Sequence, residues 1–317
     1  MKESSRVKDD LRRLALDAGF VRARILAPFE SAAGGVHAGG SSGPGRNFAE
    51  GAPSLLVTAL AYGSPVPGPP AKAAAFLSIA PFARRNYYRE AVKRLQGLAR
   101  QFRSCRGGRR CDYRILCNSP VPEKPLAAAC GLGAPGRNGL IITPEAGSLV
   151  IIAAMTLPFV LEGDGPADDF CGTCGERPPC AAACPTGALE GGRLDLTRCI
   201  QWYASGRGER VPPDVVRRWG RRLYGCTCCQ DACIQNRRFI PGAASGEGPL
   251  PAWINGEEIL ALDDDAIRVR FKGTAMGLSW LGPAAIRRNA ALGLGRYQLC
   301  SATFSWIPEQ PLRRSWR

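Results

Sequence analysis

Residues 171–189 read CGTCGERPPCAAACPTGAL and residues 225–236 read GCTCCQDACIQN, with one further cysteine, Cys199, between them. Nine of the fourteen cysteines of this 317-residue chain lie in this part of the sequence. The first stretch has the spacing C-x2-C-x5-C-x3-C-P, which differs from a bacterial ferredoxin run only in three extra residues before the third cysteine. The second stretch has the spacing C-x2-C-x3-C. Together these spacings predict two 4Fe–4S clusters.

The eight thiolates that two such clusters need can be assigned from the order of the cysteines. In two-cluster ferredoxins the fourth cysteine of a run ligates the other cluster. Cluster one then takes Cys171, Cys174, Cys180 and Cys233. Cluster two takes Cys184, Cys199, Cys226 and Cys229. Cys228 is left as a spare thiol.

Zinc and disulfides are the alternative uses of these cysteines. Zinc also favours C-x2-C pairs, so two four-cysteine zinc sites could use the same thiolates. The small residues and the cysteine–proline pair in AAACP, residues 181–185, favour clusters instead. Disulfides need an oxidising compartment, and the charged start MKESSRVKDDLRRLALDAGF has no apolar segment typical of a secretory signal. We therefore expect a cytoplasmic protein with reduced, metal-binding cysteines.

The charge balance indicates a polyanionic partner. Lys and Arg total 42 against 27 Asp and Glu, which gives a net charge of +15. Such an excess fits nucleic acid first and an anionic membrane second, although an Arg-rich proteome would produce the same balance. The apolar stretch 149–161 is too short to span a membrane. The single histidine, His37, lies in a Gly/Ser-rich segment, so we expect it in a loop and expect no histidine-based metal site or acid–base catalysis.

Hydrophobic periodicity outlines the rest of the chain. The predicted helices cover residues 5–19, 83–102, 256–271 and 283–293. The predicted strands cover residues 21–26, 55–62 and 114–118. Residues 30–52 are expected to form a loop or flap, and residues 304–317 a partly ordered tail.

With these residues in view, the chain resembles the epoxyqueuosine reductase family, whose members are cobalamin- and iron–sulfur-dependent enzymes of tRNA modification related to reductive dehalogenases. The similar blocks follow one another in the family's order. They are PFARRNYYREAVKRL at 81–95, EKPLAAACGLGAPGRNGLIITPEAGS at 123–148, LDLTRCIQW at 194–202, LYGCTCCQDAC at 223–233 and FKGTAMGLSWLGPAAIRRNAALGLG at 271–295. This collinear set covers most of the chain.

The resemblance implies an α+β fold with three parts. Residues 1–162 would form a nitroreductase-like α/β domain that binds cobalamin and substrate. Residues 163–240 would form a ferredoxin-like domain with two 4Fe–4S clusters, and residues 241–317 a short helical-repeat segment. In this family the corrinoid is bound base-off, which needs no histidine. The corrinoid and substrate pocket would lie beside Gly131, Gly133, Gly136, Arg137 and Asn138.

The chain departs from the family pattern at the position of the catalytic acid. The family has an aspartate in a block like Y-R-V-F-V-D-S-x-P-x-x-E-K, and this chain is one residue shorter there. Counting forward from Tyr113 places Asn118 at the aspartate position, which we favour, whereas counting back from Pro120 places Cys117 there. Neither residue is a carboxylate. Tyr87, Tyr88 or bound water would then have to supply the proton, and we favour Tyr88, which stands in the place of a family histidine.

Three functions are therefore expected in order of preference. The first is an epoxyqueuosine reductase-like enzyme that acts on a tRNA anticodon stem-loop and receives electrons from an external low-potential donor. The second is an iron–sulfur electron-transfer protein that has lost its corrinoid or its tRNA activity. The third is a reductase of a small molecule. We expect a monomer without membrane attachment, and basic contacts to tRNA from a set that comprises Arg84, Arg85, Arg89, Lys93, Arg287 and Arg288.

Overall fold

The computed structural model describes residues 2–28, 53–63, 68–70, 74–190, 193–208, 210–237 and 248–296. Its helices are α1 Lys2–Asp17, α2 Tyr87–Arg106, α3 Glu123–Ala129, α4 Pro179–Ala182, α5 Ile200–Ala204, α6 Pro213–Arg217, α7 Cys228–Asp231, α8 Ile234–Arg237, α9 Gly256–Ala261, α10 Asp264–Phe271 and α11 Pro283–Gly293. Its strands are β1 Arg22–Leu26, β2 Ser54–Ala61, β3 Phe76–Ile79, β4 Ile115–Leu116, β5 Ala134–Pro135, β6 Ile141–Ile142, β7 Val150–Leu157, β8 Arg222–Tyr224 and β9 Trp253–Asn255.

The main sheet has four antiparallel strands in the order β1-β2-β7-β4. Every residue of β2 is buried, which explains its unbroken apolar sequence. Because neighbouring side chains of a strand point to opposite faces, Leu56 and Leu60 pack into one core. Leu55, Val57 and Ala59 pack into another on the far face.

Helices cover both faces of this sheet. Helices α1 and α2 supply Leu11 and Leu95 to the first core, and α3 supplies Leu126 to the second. The Asn86 side chain accepts a hydrogen bond from the Arg89 backbone N–H and thereby caps the start of α2. This start matters for the site, because the helix then begins at Tyr87 and Tyr88.

A second sheet joins distant parts of the chain in the order β8-β3-β9. Strand β3 pairs in parallel with β8 and antiparallel with β9. One strand thus comes from each of the three expected segments, 1–162, 163–240 and 241–317. Those boundaries stay a prediction, and the cysteine-rich segment is held to the rest of the protein by backbone hydrogen bonds.

The predicted elements agree with the structure to within about four residues at their ends, except in two places. The single helix expected at 256–271 is wrong: the chain forms α9 and α10, because the Asp263 side chain accepts a hydrogen bond from the Ala266 N–H and starts a new helix. The strand expected at 114–118 shortens to β4, since the backbone turns at Asn118 with a φ of 51°. His37, the 30–52 loop and the 304–317 tail lie outside the described residues.

No helix in the described parts of the chain is both long enough and apolar enough to cross a lipid bilayer.

Candidate active site

Short helices bring the cysteines of the two stretches together. Prolines start α4, so the chain turns tightly between the first cysteines and Cys184. Helix α4 packs against α7, which begins at Cys228. Burial raises the pKa of Cys180, and the nearby thiols of Cys233 and Cys171 raise it further. These are three of the four thiols assigned to cluster one.

Thiols assigned to cluster two also lie near one another. Burial raises the pKa of Cys199, and the nearby Cys184 thiol raises it further. Burial also raises the pKa of Cys229, with further contributions from Cys199, Cys184 and the cluster-one thiol Cys180. Among the described residues, no three His, Cys, Asp or Glu side chains are close enough to hold a single metal ion. A 4Fe–4S cube is larger than a single ion and binds its thiolates at its outer corners.

Backbone amides point at the sulfur atoms of both cysteine sets. The Arg137 N–H donates to the Cys171 Sγ at 3.4 Å, and the Ala188 N–H donates to the Cys184 Sγ at 3.2 Å. Hydrogen bonds of this kind to the sulfurs help set the reduction potential of an iron–sulfur cluster. The cysteine thiols, together with the backbone N–H groups that point at their sulfur atoms, therefore suit two 4Fe–4S clusters.

Cluster insertion must displace protons from these thiols. Burial raises the pKa of Cys229 to about 12 and also raises the pKa of Cys199. Metal binds the thiolate, so uptake of iron is coupled to proton release. The spare thiol differs, because its hydrogen bond with Cys226 and the nearby Arg222 guanidinium lower the pKa of Cys228. Arg222 Nη2 lies 3.1 Å from the Cys228 Sγ.

A mainly apolar cavity of about 350 Å³, which we call the cysteine-walled cavity, lies against the cluster-two thiols. All four cluster-two cysteines and Cys228 line it. Its other walls include Tyr62, Phe82, Tyr88, Lys124, Asn138, Ser148 and Gln230. Pockets of this volume, with a few polar groups on apolar walls, hold small ligands and cofactors. A cluster held by these four cysteines would itself occupy the part of the cavity between them and would border the remaining space.

Tyr88 and Asn138 are the predicted non-cysteine site residues that line this cavity. Burial raises the pKa of Tyr88, so its hydroxyl keeps its proton throughout the neutral range. Asn138 is 4% exposed, and its Nδ2 has no hydrogen-bond partner within the described structure. A buried amide nitrogen without a partner is unfavourable, and a bound ligand could accept its hydrogen bond.

The two candidates for the catalytic-acid position face different surroundings. Asn118 is exposed and is not among the residues that line the cysteine-walled cavity. Cys117 is half-buried, with its Sγ 3.8 Å from the backbone oxygens of both Tyr88 and Ile152, and burial raises its pKa to about 12. The catalytic role of either residue stays a prediction.

The glycines of the 131–136 loop fit closely against the protein's own backbone. A side chain at Gly131 would collide with the Gly165 carbonyl, and one at Gly133 would collide with the Ile142 carbonyl. The Arg137 side chain donates to the Gly175 carbonyl oxygen and so ties this loop to the first cysteine stretch. Internal packing accounts for these glycines, and their contact with a corrinoid stays a prediction.

A buried hydrogen-bond network behind the cavity was missed by the sequence reasoning. Gln230 Nε2 donates to the Tyr62 hydroxyl at 2.8 Å and to the Ser148 backbone oxygen at 2.8 Å. Asn236 Nδ2 donates to the Ser148 hydroxyl at 3.0 Å. The sequence did contain a signal for this network, because Gln230 directly follows Cys229 in a block that resembles the family's C-D-D-C-Q. The network anchors the second cysteine stretch to the ends of β2 and β7.

The family described as a 4Fe-4S double cluster binding domain matches residues 170–236, which contain all of the predicted cluster ligands. The chain thus carries a domain of this kind. An epoxyqueuosine reductase from Bacillus subtilis (strain 168) is 35% identical over 185 residues, which cover 57% of this chain and 46% of that protein. An epoxyqueuosine reductase from Synechococcus sp. (strain CC9605) is 30% identical over 256 residues, which cover 78% of this chain and 75% of that protein. The chain spans about half the length of several of the curated relatives that it matches.

Solved structures show the same architecture. The structure of epoxyqueuosine reductase from Bacillus subtilis, with its catalytic aspartate loop swung out of the active site, has a TM-score of 0.73 and 27% identity. The structural alignment covers 92% of this chain and 82% of the Bacillus subtilis chain. A crystal structure of epoxyqueuosine reductase with an epoxyqueuosine-modified tRNA stem loop has a TM-score of 0.74 at 26% identity. Since three-quarters of the Synechococcus relative aligns at 30% identity and the fold agrees, this chain belongs to the epoxyqueuosine reductase family.

Proposed function

We propose that this protein is an iron–sulfur oxidoreductase that reduces epoxyqueuosine to queuosine in tRNA. The observation that carries the proposal is the position of the cysteine-walled cavity, since the cluster-two thiols share its wall with Tyr88 and Asn138. In this proposal residues 1–162 form the corrinoid and substrate domain, residues 163–240 the double-cluster domain and residues 241–317 a helical-repeat segment. The family relatives support the activity.

The eight predicted thiolates would form an electron path that ends at the cavity. Cluster one would be held by Cys171, Cys174, Cys180 and Cys233. Cluster two would be held by Cys184, Cys199, Cys226 and Cys229, each of which lines the cavity. An electron from an external donor would enter at cluster one and leave from cluster two, because only cluster two adjoins the space where substrate would bind.

A corrinoid is much larger than this cavity of about 350 Å³, so in this proposal only part of the cofactor lies against the cavity wall. The unpartnered Asn138 Nδ2 offers a hydrogen-bond donor, and the apolar walls suit a macrocycle. When bound, a corrinoid would supply the reducing chemistry, while the protein supplies binding, orientation and the proton. No histidine is needed for base-off binding, which agrees with a chain whose single histidine is His37.

The reaction needs protons as well as electrons. Reducing an epoxide to an alkene consumes two electrons and two protons and releases one water molecule. Asn118 can donate a hydrogen bond to the leaving oxygen but cannot supply a proton to it. The Tyr88 hydroxyl, held protonated by burial at the cavity wall, is our proposed proton donor.

The loop that carries Asn118 would have to move towards the cavity to act there. Glu123 accepts a hydrogen bond from the Ser119 N–H at 3.0 Å and anchors the loop in its exposed position. A Bacillus subtilis relative is known with its catalytic aspartate loop swung out of the active site. We propose that the Asn118 loop of this chain likewise swings in when substrate binds.

Anaerobic purification with joint measurement of iron, sulfide and corrinoid tests the proposal. We expect iron and sulfide for two clusters together with corrinoid, and conversion of an epoxyqueuosine-containing stem-loop with loss of one oxygen atom by mass spectrometry. Iron without corrinoid, and no conversion, would favour the electron-transfer alternative, which the lack of a carboxylate at Asn118 supports. Conversion of a small epoxide or halide but not of the stem-loop would favour a small-molecule reductase.

Binding to tRNA should weaken steeply as salt is added, because phosphate contacts release counterions. Arg287 and Arg288 have partners within the protein, namely Asp264 and the Tyr203 carbonyl oxygen. The exposed Arg89 and Lys93 on α2 are therefore the better phosphate contacts. In an Arg89→Gln/Lys93→Gln variant, the plot of log affinity against log salt should be less steep than in the wild type, with the magnitude of its slope reduced by about one to two. Filter binding measures this, and a salt-independent affinity would contradict the tRNA contact.

A further inference from the structure

A second hollow, of about 840 Å³, lies beside the first cysteine stretch and is rich in arginine. We call it the arginine hollow. Its charged lining consists of Arg137, Arg177, Arg198, Arg217 and Arg218 with Glu176, Glu190 and Asp214. Five guanidinium groups against three carboxylates leave an excess of positive charge. The carboxylates are interspersed among the arginines, so a partner must offer negative charge without presenting it as a continuous surface.

Two of these arginines are available to a partner. Arg198 pairs with Glu190 at 3.0 Å, and Arg217 pairs with Asp214. Arg177 and Arg218 are exposed, and neither side chain has an ion-pair or hydrogen-bond partner within the described ranges. Their charges add to that of Arg137, whose guanidinium donates only to the neutral Gly175 carbonyl, so the hollow presents a positive field to a partner.

The position of the hollow relates it to the entry side of the electron path. Its wall includes Pro178 and Ala181, which flank the cluster-one ligand Cys180. Arg137, also in the wall, donates its backbone N–H to the Sγ of Cys171, another cluster-one ligand. By contrast, the cysteine-walled cavity is lined by the ligands of cluster two. Cys184, assigned to cluster two, lies in both walls, so the two spaces meet at this residue, and the hollow extends from there past the neighbours of Cys180.

We propose that the arginine hollow docks the acidic face of a small one-electron carrier protein, with a flavin or an iron–sulfur cluster, that reduces cluster one. The inference rests on the proposed function, since it names the kind of donor that would feed the same electron path. In each transfer the carrier loses one electron and cluster one gains it, and two transfers supply one epoxide reduction. An acidic protein face can place a basic or neutral group opposite Glu176, whereas a continuous phosphate backbone would be repelled by this carboxylate.

Charge reversal tests this surface. Reduced flavodoxin as the carrier probe and sodium dithionite as a small reductant are each mixed anaerobically with the holoprotein, and bleaching of the cluster absorption is followed by stopped flow. In the Arg177→Glu/Arg218→Glu variant we expect the second-order rate with flavodoxin at low salt to fall about tenfold or more, since steering contributes 10 to 10³. The dithionite rate should stay at the wild-type value. An Arg177→Gln/Arg218→Gln variant should give an intermediate loss.

The matched control is Arg6→Glu/Arg270→Glu, which changes the net charge equally at exposed arginines outside both spaces. An equal loss of flavodoxin rate in this control would overturn the proposal, because overall charge would then explain the effect. An equal loss with dithionite would also overturn it, since the variant would have damaged the clusters. Loss of stem-loop affinity with an unchanged flavodoxin rate would assign the hollow to RNA instead. If dithionite reduces the clusters but the protein never converts the stem-loop, the proposed function is rejected. The rates with flavodoxin then still test the docking surface.

Discussion

Replacing Asn118 with aspartate, Asn118→Asp, is expected to accelerate epoxyqueuosine reduction by about two to four powers of ten, the usual contribution of a positioned general acid. An amide can donate a hydrogen bond to the leaving oxygen, whereas a carboxylic acid can also transfer its proton. The backbone should accept the change, because Asn118 has a φ of 51° and aspartate, like asparagine, tolerates this left-handed region. Single-turnover rates on an epoxyqueuosine stem-loop measure the effect.

Cys117→Asp is the matched control, since it places the same carboxylate one residue earlier. A gain only in this control would mean that Cys117 occupies the catalytic-acid position. A wild-type rate already at the level of its relatives would mean that another group, such as Tyr88, delivers the proton efficiently. An unchanged Asn118→Asp rate with cobalamin bound would mean that the pocket has been rebuilt for another substrate.

The pH dependence should separate the two proton sources. A general acid works only while protonated, so the rate of Asn118→Asp should fall as pH rises through the pKa of the introduced carboxylic acid. In the wild type the proposed donor is Tyr88, whose pKa is raised by burial, so the proton is retained and no such fall is expected across the neutral range. Rates at a series of pH values, with Tyr88→Phe for comparison, would show this difference.

Loss of one cluster is the second large effect that we expect. Changing Cys184 to serine should remove cluster two, reduce the iron content to about half and abolish stem-loop reduction. Cys184 lies in the same run as the cluster-one ligands, yet it lines the cavity with Cys199, Cys226 and Cys229. Iron and sulfide analysis with electron paramagnetic resonance of the dithionite-reduced protein would show which cluster remains.

Cys228→Ser is the control for this experiment, and it should keep both clusters. Zinc in place of iron in the wild type, or about half of the iron expected for two cubes, would refute the ligand assignment. Loss of iron in Cys228→Ser with retention in Cys226→Ser would make Cys228 the ligand instead. Arg222, which donates to the Cys228 Sγ at 3.1 Å, would then stabilise the ligating thiolate.

The double-cluster segment and most of the secondary structure were predictable from local sequence. Cluster ligands follow short spacers, because a few residues are enough to wrap the backbone around a cube. Strand β2 was predictable because its run of apolar residues is buried on both faces. Helix α11 was likewise predictable over Pro283–Gly293 from its helical period. The 256–271 helix was mispredicted because a capping aspartate, Asp263, lies inside a continuous helical pattern.

The tertiary structure alone decided which of these residues share a site. Spacing does not reveal that Tyr88 at the start of α2, Asn138 after β5 and the cluster-two cysteines line one cavity, because the chain between them folds through two sheets. The contact between Gln230 and Tyr62 likewise depends on how the cysteine-rich segment packs against β2 and β7. The candidate ligands could therefore be named from local sequence, since thiolate spacing is a local property. The neighbours of the clusters were determined by long-range packing, which no local pattern encodes.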